Sequence, residues 1–249
     1  MRLTVLGSAA SYPGPGRACA GYLVQTSGTS ALLDCGNGVL ANLGRVLDPV
    51  SLDGVIISHG HIDHFADLFA LQAALRYAPT GPVPPLPLYL PPGLFDRMEA
   101  LLGDRGGHEL REAFRVHEIV PGVPIAIGEF SILPHPVEHA QSACALVVEG
   151  DGAKLCYTGD TRLGDAVREA ARGVGVLLAD ATLPEEYAGR APHMTPAEAA
   201  SLASDAGAHT LVMTHLWPTV DRAHALVEAR DHFDGRVIVA DENTTLDID

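Results

Sequence analysis

The segment Ser58-His59-Gly60-His61-Ile62-Asp63-His64 places three imidazoles and a carboxylate within six consecutive positions. Burying such groups side by side without a cation leaves them competing for hydrogen-bond partners, so the segment reads as a set of metal ligands and not as scattered surface histidines. Neutral imidazole and carboxylate suit zinc and neighbouring first-row metals, and side chains on such a loop can point at two adjacent ions. Four ligands from one loop do not fill two sites. The rest of the chain must then offer at least one more histidine per metal and a carboxylate able to bridge them. His139, Asp160 in Tyr157-Thr158-Gly159-Asp160-Thr161, and His215 all stand where a loop leaves an apolar run.

The elements that would position these residues follow from periodicity. Residues 3–6, 21–25, 30–34 and 54–58 are short apolar runs bounded by Gly, Ser and Pro, the pattern of strands. Ala66 to Ala78 carries apolar residues at helical spacing and stops before Pro79. From Pro79 to Gly93 seven of fifteen residues are proline, giving a stiff connector that reads as a surface loop before a lid, with room for a short strand at 86–90. Strands are expected near 116–120, 130–134, 143–149 and 153–158, the last two joined by a Gly150-Asp151-Gly152 turn. A helix over Asp165 to Arg172 and a strand at 174–179 come next. Thr195-Pro196-Ala197-Glu198 then forms a capping box that opens a helix to Ala206, followed by strand 210–214, helix 222–230 and strand 236–240. Two strand-rich segments, each followed by helices, predict an α/β protein with four layers: two packed sheets covered by helices on their outer faces. One domain over residues 1–249 is expected, because a chain of 26.1 kDa buries about 72% of its unfolded surface without help from disulfides.

Composition limits the partners. With 16 basic against 31 acidic side chains the formal charge is −15, and Lys154 is the only lysine. An electrostatic grip on extended nucleic acid needs clustered Lys and Arg, so that class is disfavoured. No apolar run is long and unbroken enough to span a membrane. Cys19, Cys35, Cys144 and Cys156 form no CxxC pair and read as buried thiols, which suits a reducing, cytoplasmic setting.

The ordered set HxHxDH, a lone His, Gly-Asp-Thr and a strand-terminal His resembles the metallo-β-lactamase superfamily over nearly the whole chain. The resemblance implies the αβ/βα sandwich fold with two mixed sheets and two divalent metal ions, zinc by default with manganese or iron as alternatives. It assigns His59, His61 and His139 to one ion, Asp63, His64 and His215 to the other, and Asp160 as the bridge. The Gly-Asp-Thr segment, His193-Met194-Thr195 and the first strand Val5-Leu6-Gly7-Ser8 are similar to the ribonuclease Z branch, whose members cleave phosphodiesters. That similarity carries over a possible homodimer as well.

The chain departs from that branch at three places. Pro13-Gly14-Pro15-Gly16-Arg17-Ala18 stands where ribonuclease Z has a Pro-x-Lys-x-Arg-Asn loop, so a lysine and an asparagine are lost and Arg17 remains. Ala179-Asp180-Ala181-Thr182 replaces His-Glu-Ala-Thr, which pairs Asp180 with His193. Leu216-Trp217-Pro218-Thr219 follows the last metal histidine, where Trp217 either stacks on a base or packs, and no long basic arm is present. The function expected is therefore a dinuclear metal-dependent phosphodiesterase acting on a nucleotide or short RNA-type phosphodiester. A hydroxide bridging the metals would attack phosphorus, Asp63 would ligate a metal and also orient that nucleophile, and His193, oriented by Asp180, would protonate the leaving alkoxide. tRNA 3′-end processing and acyl hydrolysis (lactonase, thioesterase or β-lactamase-like) are the alternatives the same residues leave open. Asp67 and Thr161 are the expected hydrogen-bond partners of the ligands, and His135 is a candidate lining of the cleft.

Overall fold

Alternation along the strands decides the layers. Tyr22 and Val24 face one way and Leu23 the other; Ala31 and Leu33 oppose Leu32; Leu146 and Val148 oppose Ala145 and Val147; Leu178 opposes Leu177 and Ala179. Strands apolar on both faces must be covered on both. In the computed structural model, which describes residues 1–79 and 83–249, one buried cluster lies between two sheets and two further clusters lie under the helices on their outer faces.

The first half runs β1 (Arg2–Gly7), β2 (Gly21–Gln25), β3 (Ser30–Leu33), α1 (Val39–Leu43), β4 (Gly54–Ile56), α2 (Ile62–Phe65), α3 (Leu68–Tyr77), β5 (Leu86–Leu90), α4 (Leu94–Ala113) and β6 (Phe114–Glu118). The second runs β7 (Ile125–Ile127), β8 (Phe130–Val137), β9 (Ala143–Gly150), β10 (Ala153–Tyr157), α5 (Asp165–Ala171), β11 (Val176–Asp180), α6 (Pro196–Ala206), β12 (Thr210–Thr214), α7 (Arg222–Arg230) and β13 (Arg236–Val239). β14 (Thr245–Asp247) returns to pair with β1. The sheet orders are β14-β1-β2-β3-β4-β5-β6 and β13-β12-β11-β10-β9-β8-β7. Both sheets are mixed in the same way: the ladders joining β14 through β3 and β7 through β10 are antiparallel, and those joining β3 through β6 and β10 through β13 are parallel. The four-layer αβ/βα sandwich expected from the sequence is the observed architecture.

Several boundaries differ from expectation. The strand expected at 54–58 ends at Ile56, and the helix expected from Ala66 divides into α2 and α3, so the histidine segment itself begins to wind at Ile62. The short strand allowed for at 86–90 does form, as an interior strand between β4 and β6, so this part of the proline-rich segment is sheet and not surface loop or lid; residues 80–82 lie outside those described. α4 was not expected from the sequence at all. Its Gly103, at φ 65 and ψ −177, breaks the helical path, and Gly106 and Gly107 lower the propensity further, so the pattern reads as a charge-mixed loop. Thr195 does cap α6 as expected, its hydroxyl accepting from Glu198 N–H while the Glu198 carboxylate accepts from Thr195 N–H. No helix is long and apolar enough to cross a membrane among the described residues. All four cysteines are buried and free.

Candidate metal centre and its acid-base neighbour

The carboxyl ends of the parallel strands of both sheets open at one edge, and there the chemistry collects. His59 to His64 leave β4, Asp160 leaves β10, Asp180 ends β11, and His215 follows β12; His139 arrives from β8. The two sheets are tied together at this edge, where Cys144 N–H donates to Ser58 O at 3.1 Å and Leu216 N–H donates to Ser8 O at 3.0 Å. Three non-glycine residues here hold left-handed backbone: Ser11 at φ 64, Asp34 at φ 58 and His215 at φ 54. Such strain persists where surrounding structure fixes it, and it concentrates at functional sites. Gly36 is required by contact, because a Cβ there would run into the carbonyl of Asp63.

All seven residues expected to bind metal come together. His61 Nδ1 lies 3.0 Å from His59 Nε2 and 3.1 Å from His139 Nε2. His64 Nε2 and His215 Nε2 lie 3.2 Å apart, with Asp63 Oδ2 3.3 Å from the latter. Asp160 stands between the two groups, its Oδ2 3.4 Å from both His59 Nε2 and His64 Nε2. The outward nitrogens explain why these contacts demand a cation. His64 Nδ1 meets Asp34 Oδ2 at 2.7 Å, and His139 Nδ1 meets the carbonyl of Pro192 at 3.1 Å; neither partner can donate, so each Nδ1 carries the hydrogen. Ser58 Oγ gives its own proton to Asp34 and so accepts from His59 Nδ1, and Thr182 Oγ1 gives its proton to Asp180 Oδ1 and accepts from His215 Nδ1. Four Nε2 lone pairs therefore point inward with no hydrogen between them, which is the tautomer a metal selects. Asp160 Oδ1 is buried and has no hydrogen-bond partner among the described residues. The donors fall into overlapping groups that fit divalent metal: His59, His61, His139 and Asp160 in one, Asp63, His64 and His215 in another, and Asp160, Asp180, His193 and His215 in a third.

Electrostatics prepares the donors. Burial pushes His59, His61 and His139 below the ordinary imidazole range, which keeps them neutral. Burial pushes Asp63 and Asp160 upward, but the neighbouring imidazoles outweigh it and hold both carboxyls well below the usual range. For His64, burial lowers the pKa while Asp160 and Asp34 raise it further, and a cation in the cluster would reverse that balance.

His193 stands beside the cluster. Its Nδ1 meets Asp180 Oδ2 at 2.8 Å, and its ring stacks against that of His215 with centroids 5.6 Å apart. Burial lowers its pKa, but the Asp180 carboxylate outweighs burial and lifts it to about 9, so the imidazole carries a proton to give; adjacent divalent ions would bring that value down toward neutrality. Asp180 in turn accepts from Thr161 N–H at 3.1 Å, Thr182 N–H at 3.0 Å and Thr182 Oγ1–H at 2.6 Å.

Other expectations are corrected. Asp67 accepts from Leu40 N–H at 2.9 Å and reaches no ligand imidazole, so it anchors α1 to the start of α3. Thr161 acts through its backbone on Asp180, while its hydroxyl donates to the carbonyls of Glu138 and Arg162. His135 shares the face of β8 with Leu133 and Val137, which pack on the outer helical cluster, and takes no part in the site. Trp217 meets the ring of Tyr187 edge-on at 6.1 Å. Arg17, the cation remaining in the departed loop, is paired with Asp241 and Glu242. The residue that sequence reasoning missed is Asp34, wholly buried, which accepts from Ser58 N–H, Ser58 Oγ–H, Tyr157 OH and His64 Nδ1–H. Its one local mark is that it directly follows an apolar strand, β3, a position that does not by itself name its partners.

Known proteins show the same organisation. Residues 29–216 match the family model described as beta-lactamase superfamily domain. The chain is 36% identical to the uncharacterized protein Rv1339 of Mycobacterium tuberculosis, covering 97% of this chain and 91% of that protein. It is 25% identical to ribonuclease Z of Methanothermobacter thermautotrophicus, covering 100% of this chain and 97% of that enzyme. The crystal structure of the metallo-beta-lactamase fold protein YhfI from Bacillus subtilis matches with a TM-score of 0.88 at 27% identity, over 98% of both chains. The converging donors and these likenesses lead to one assignment: the chain belongs to the metallo-β-lactamase superfamily of hydrolases.

Proposed function

We propose that the protein is a dinuclear metal-dependent phosphodiesterase acting on a nucleotide or a short RNA-type phosphodiester. The observation that carries this reading is the Asp180–His193 pair at 2.8 Å, set at the edge of the donor cluster beside Asp160 and His215. Two divalent ions held by the seven donors would supply Lewis acidity toward a phosphoryl oxygen and lower the pKa of water toward neutrality. The chain's own residues do the rest. Asp180 receives the Nδ1 hydrogen of His193 and fixes the ring, so Nε2–H is the proton available to a departing oxygen. An alkoxide is a poor leaving group, and a positioned acid matters most when the group it protonates leaves reluctantly. After transfer, the neutral imidazole keeps its Nδ1–H on Asp180 and recovers its proton from water. The hydrogen bond from His139 Nδ1 to Pro192 O holds the segment that carries His193 against the cluster, which keeps the acid in reach. Asp63 accepts a hydrogen bond from Ser11 N–H at 2.6 Å, so one of its oxygens is fixed by the loop after β1.

Processing of a tRNA 3′ end is the weaker reading, because the Arg17 cation left in the loop is neutralised by two carboxylates and the chain carries a formal charge of −15. Purified protein should contain two metal ions per chain and hydrolyse bis(p-nitrophenyl) phosphate in preference to a phosphomonoester, a lactone or a cephalosporin. Turnover of the lactone with silence toward the diester would replace this reading with acyl hydrolysis.

A further inference from the structure

Beside the backbone that joins His59 to His61 stands a cation with no carboxylate partner among the described residues. Gly60 separates two of those donors, and a Cβ placed on it would lie 3.3 Å from Arg97 Nη2 and 3.1 Å from Gln141 Oε1. Arg97 comes from the first turn of α4, and Gln141 follows His139 by two residues, so three separate segments meet over the backbone between His59 and His61. Arg97 is exposed, its Nε donates to Gly93 O at 3.4 Å, and no carboxylate lies within salt-bridge distance of it among the described residues. Arg17 pairs with Asp241 and Glu242, Arg162 with Glu138 at 3.9 Å, and Arg190 lies over the ring of Tyr187 at 5.2 Å. His61, next to Gly60, is only half-buried, whereas Asp63, His64 and His215 are buried. A guanidinium offers a planar fork of donors matched to two oxygens of one phosphate, and a free one beside an open cluster in an acidic chain concentrates anions there.

We propose that Arg97 is the phosphate anchor of the site, its guanidinium taking a non-bridging oxygen of the substrate's phosphodiester. This assignment rests on the phosphodiesterase reading and names the group that replaces the missing lysine of the loop after β1.

The test compares metal-loaded wild type, Arg97→Ala, Arg97→Lys and, as a remote control, Arg115→Ala, which removes an exposed arginine of β6. Two measurements are made: steady-state kinetics with bis(p-nitrophenyl) phosphate, and calorimetric binding of inorganic phosphate. Losing a hydrogen-bonded charge should raise KM and the phosphate Kd of Arg97→Ala about tenfold or more, with kcat falling less than about threefold. Arg97→Lys should recover part of the loss, and Arg115→Ala should match wild type. KM in wild type should rise with salt more steeply than in Arg97→Ala. A KM and phosphate Kd within twofold of wild type overturn the assignment, as does a loss of kcat and bound metal at constant KM, which marks a structural role. If wild type fails to cleave the diester, the phosphodiesterase reading fails, and phosphate calorimetry alone then decides for or against Arg97.

Discussion

The two sheets each end a buried strand in an aspartate that holds an imidazole, and the two imidazoles are put to different use. Asp34, after β3, bonds His64 at 2.7 Å; Asp180, at the end of β11, bonds His193 at 2.8 Å. Both carboxylates accept four hydrogen bonds. The His64 side chain has no exposed surface and its Nε2 faces the other donors, whereas that of His193 keeps 17% of its surface and lies beside them. On the proposed function, the same carboxylate–imidazole unit makes a fixed ligand when sealed between the sheets and a proton donor when set at the edge. Burial, and not the pairing itself, separates the roles.

That contrast can be broken at several strengths. The largest effect is expected from chelation: removing both ions should lower diester turnover by roughly a thousandfold or more. Metal analysis over time should show the ion near the half-buried His61 leaving before the one beside the Asp34 cradle, and simultaneous loss of both would remove the distinction between the two positions. Next comes Asp34→Ala, which strands the hydroxyl of Tyr157, the Ser58 donors and His64 Nδ1–H in a dry interior. Urea unfolding should report a loss of about 3–5 kcal/mol together with reduced metal content. Asp180→Asn should keep two ions per chain and lower kcat by about 10- to 100-fold, because the amide no longer fixes His193; atomic absorption and steady-state rates check this together. The smallest effect belongs to Arg17→Ala. Its ion pairs with Asp241 and Glu242 lie at the surface, so stability should fall by no more than about 1 kcal/mol and KM should stay within about twofold of wild type.

Much of this was legible in the chain because metal chemistry and strand burial both leave short-range marks. His59, His61, Asp63 and His64 are adjacent, and His139, Asp160 and His215 each follow an apolar run, so spacing singled out the candidates and the family resemblance joined them into one set. The capping box before α6 likewise showed where His193 sits. The less legible parts depend on distance in three dimensions. Asp34 is 30 residues from His64 and 123 from Tyr157, and a solitary aspartate gives no spacing to read. Asp67 was preferred because it is close in sequence, yet its backbone partners hold it on α1. α4 was hidden by three glycines, and with it the nearness of Arg97 to Gly60, which follows from how α4 packs and not from any local pattern.

The central claim is that a protonated His193, at the edge of the donor cluster, supplies the proton to the leaving oxygen. The direct measurement is the dependence of kcat on leaving-group pKa across a series of aryl and alkyl phosphodiesters, for metal-loaded wild type and His193→Ala. Both proteins should hold two ions, and the variant should lose about 10²- to 10⁴-fold on the poorest leaving groups and far less on activated ones, so that its plot is the steeper. Parallel plots, with equal slowing for good and poor leaving groups, would contradict the account.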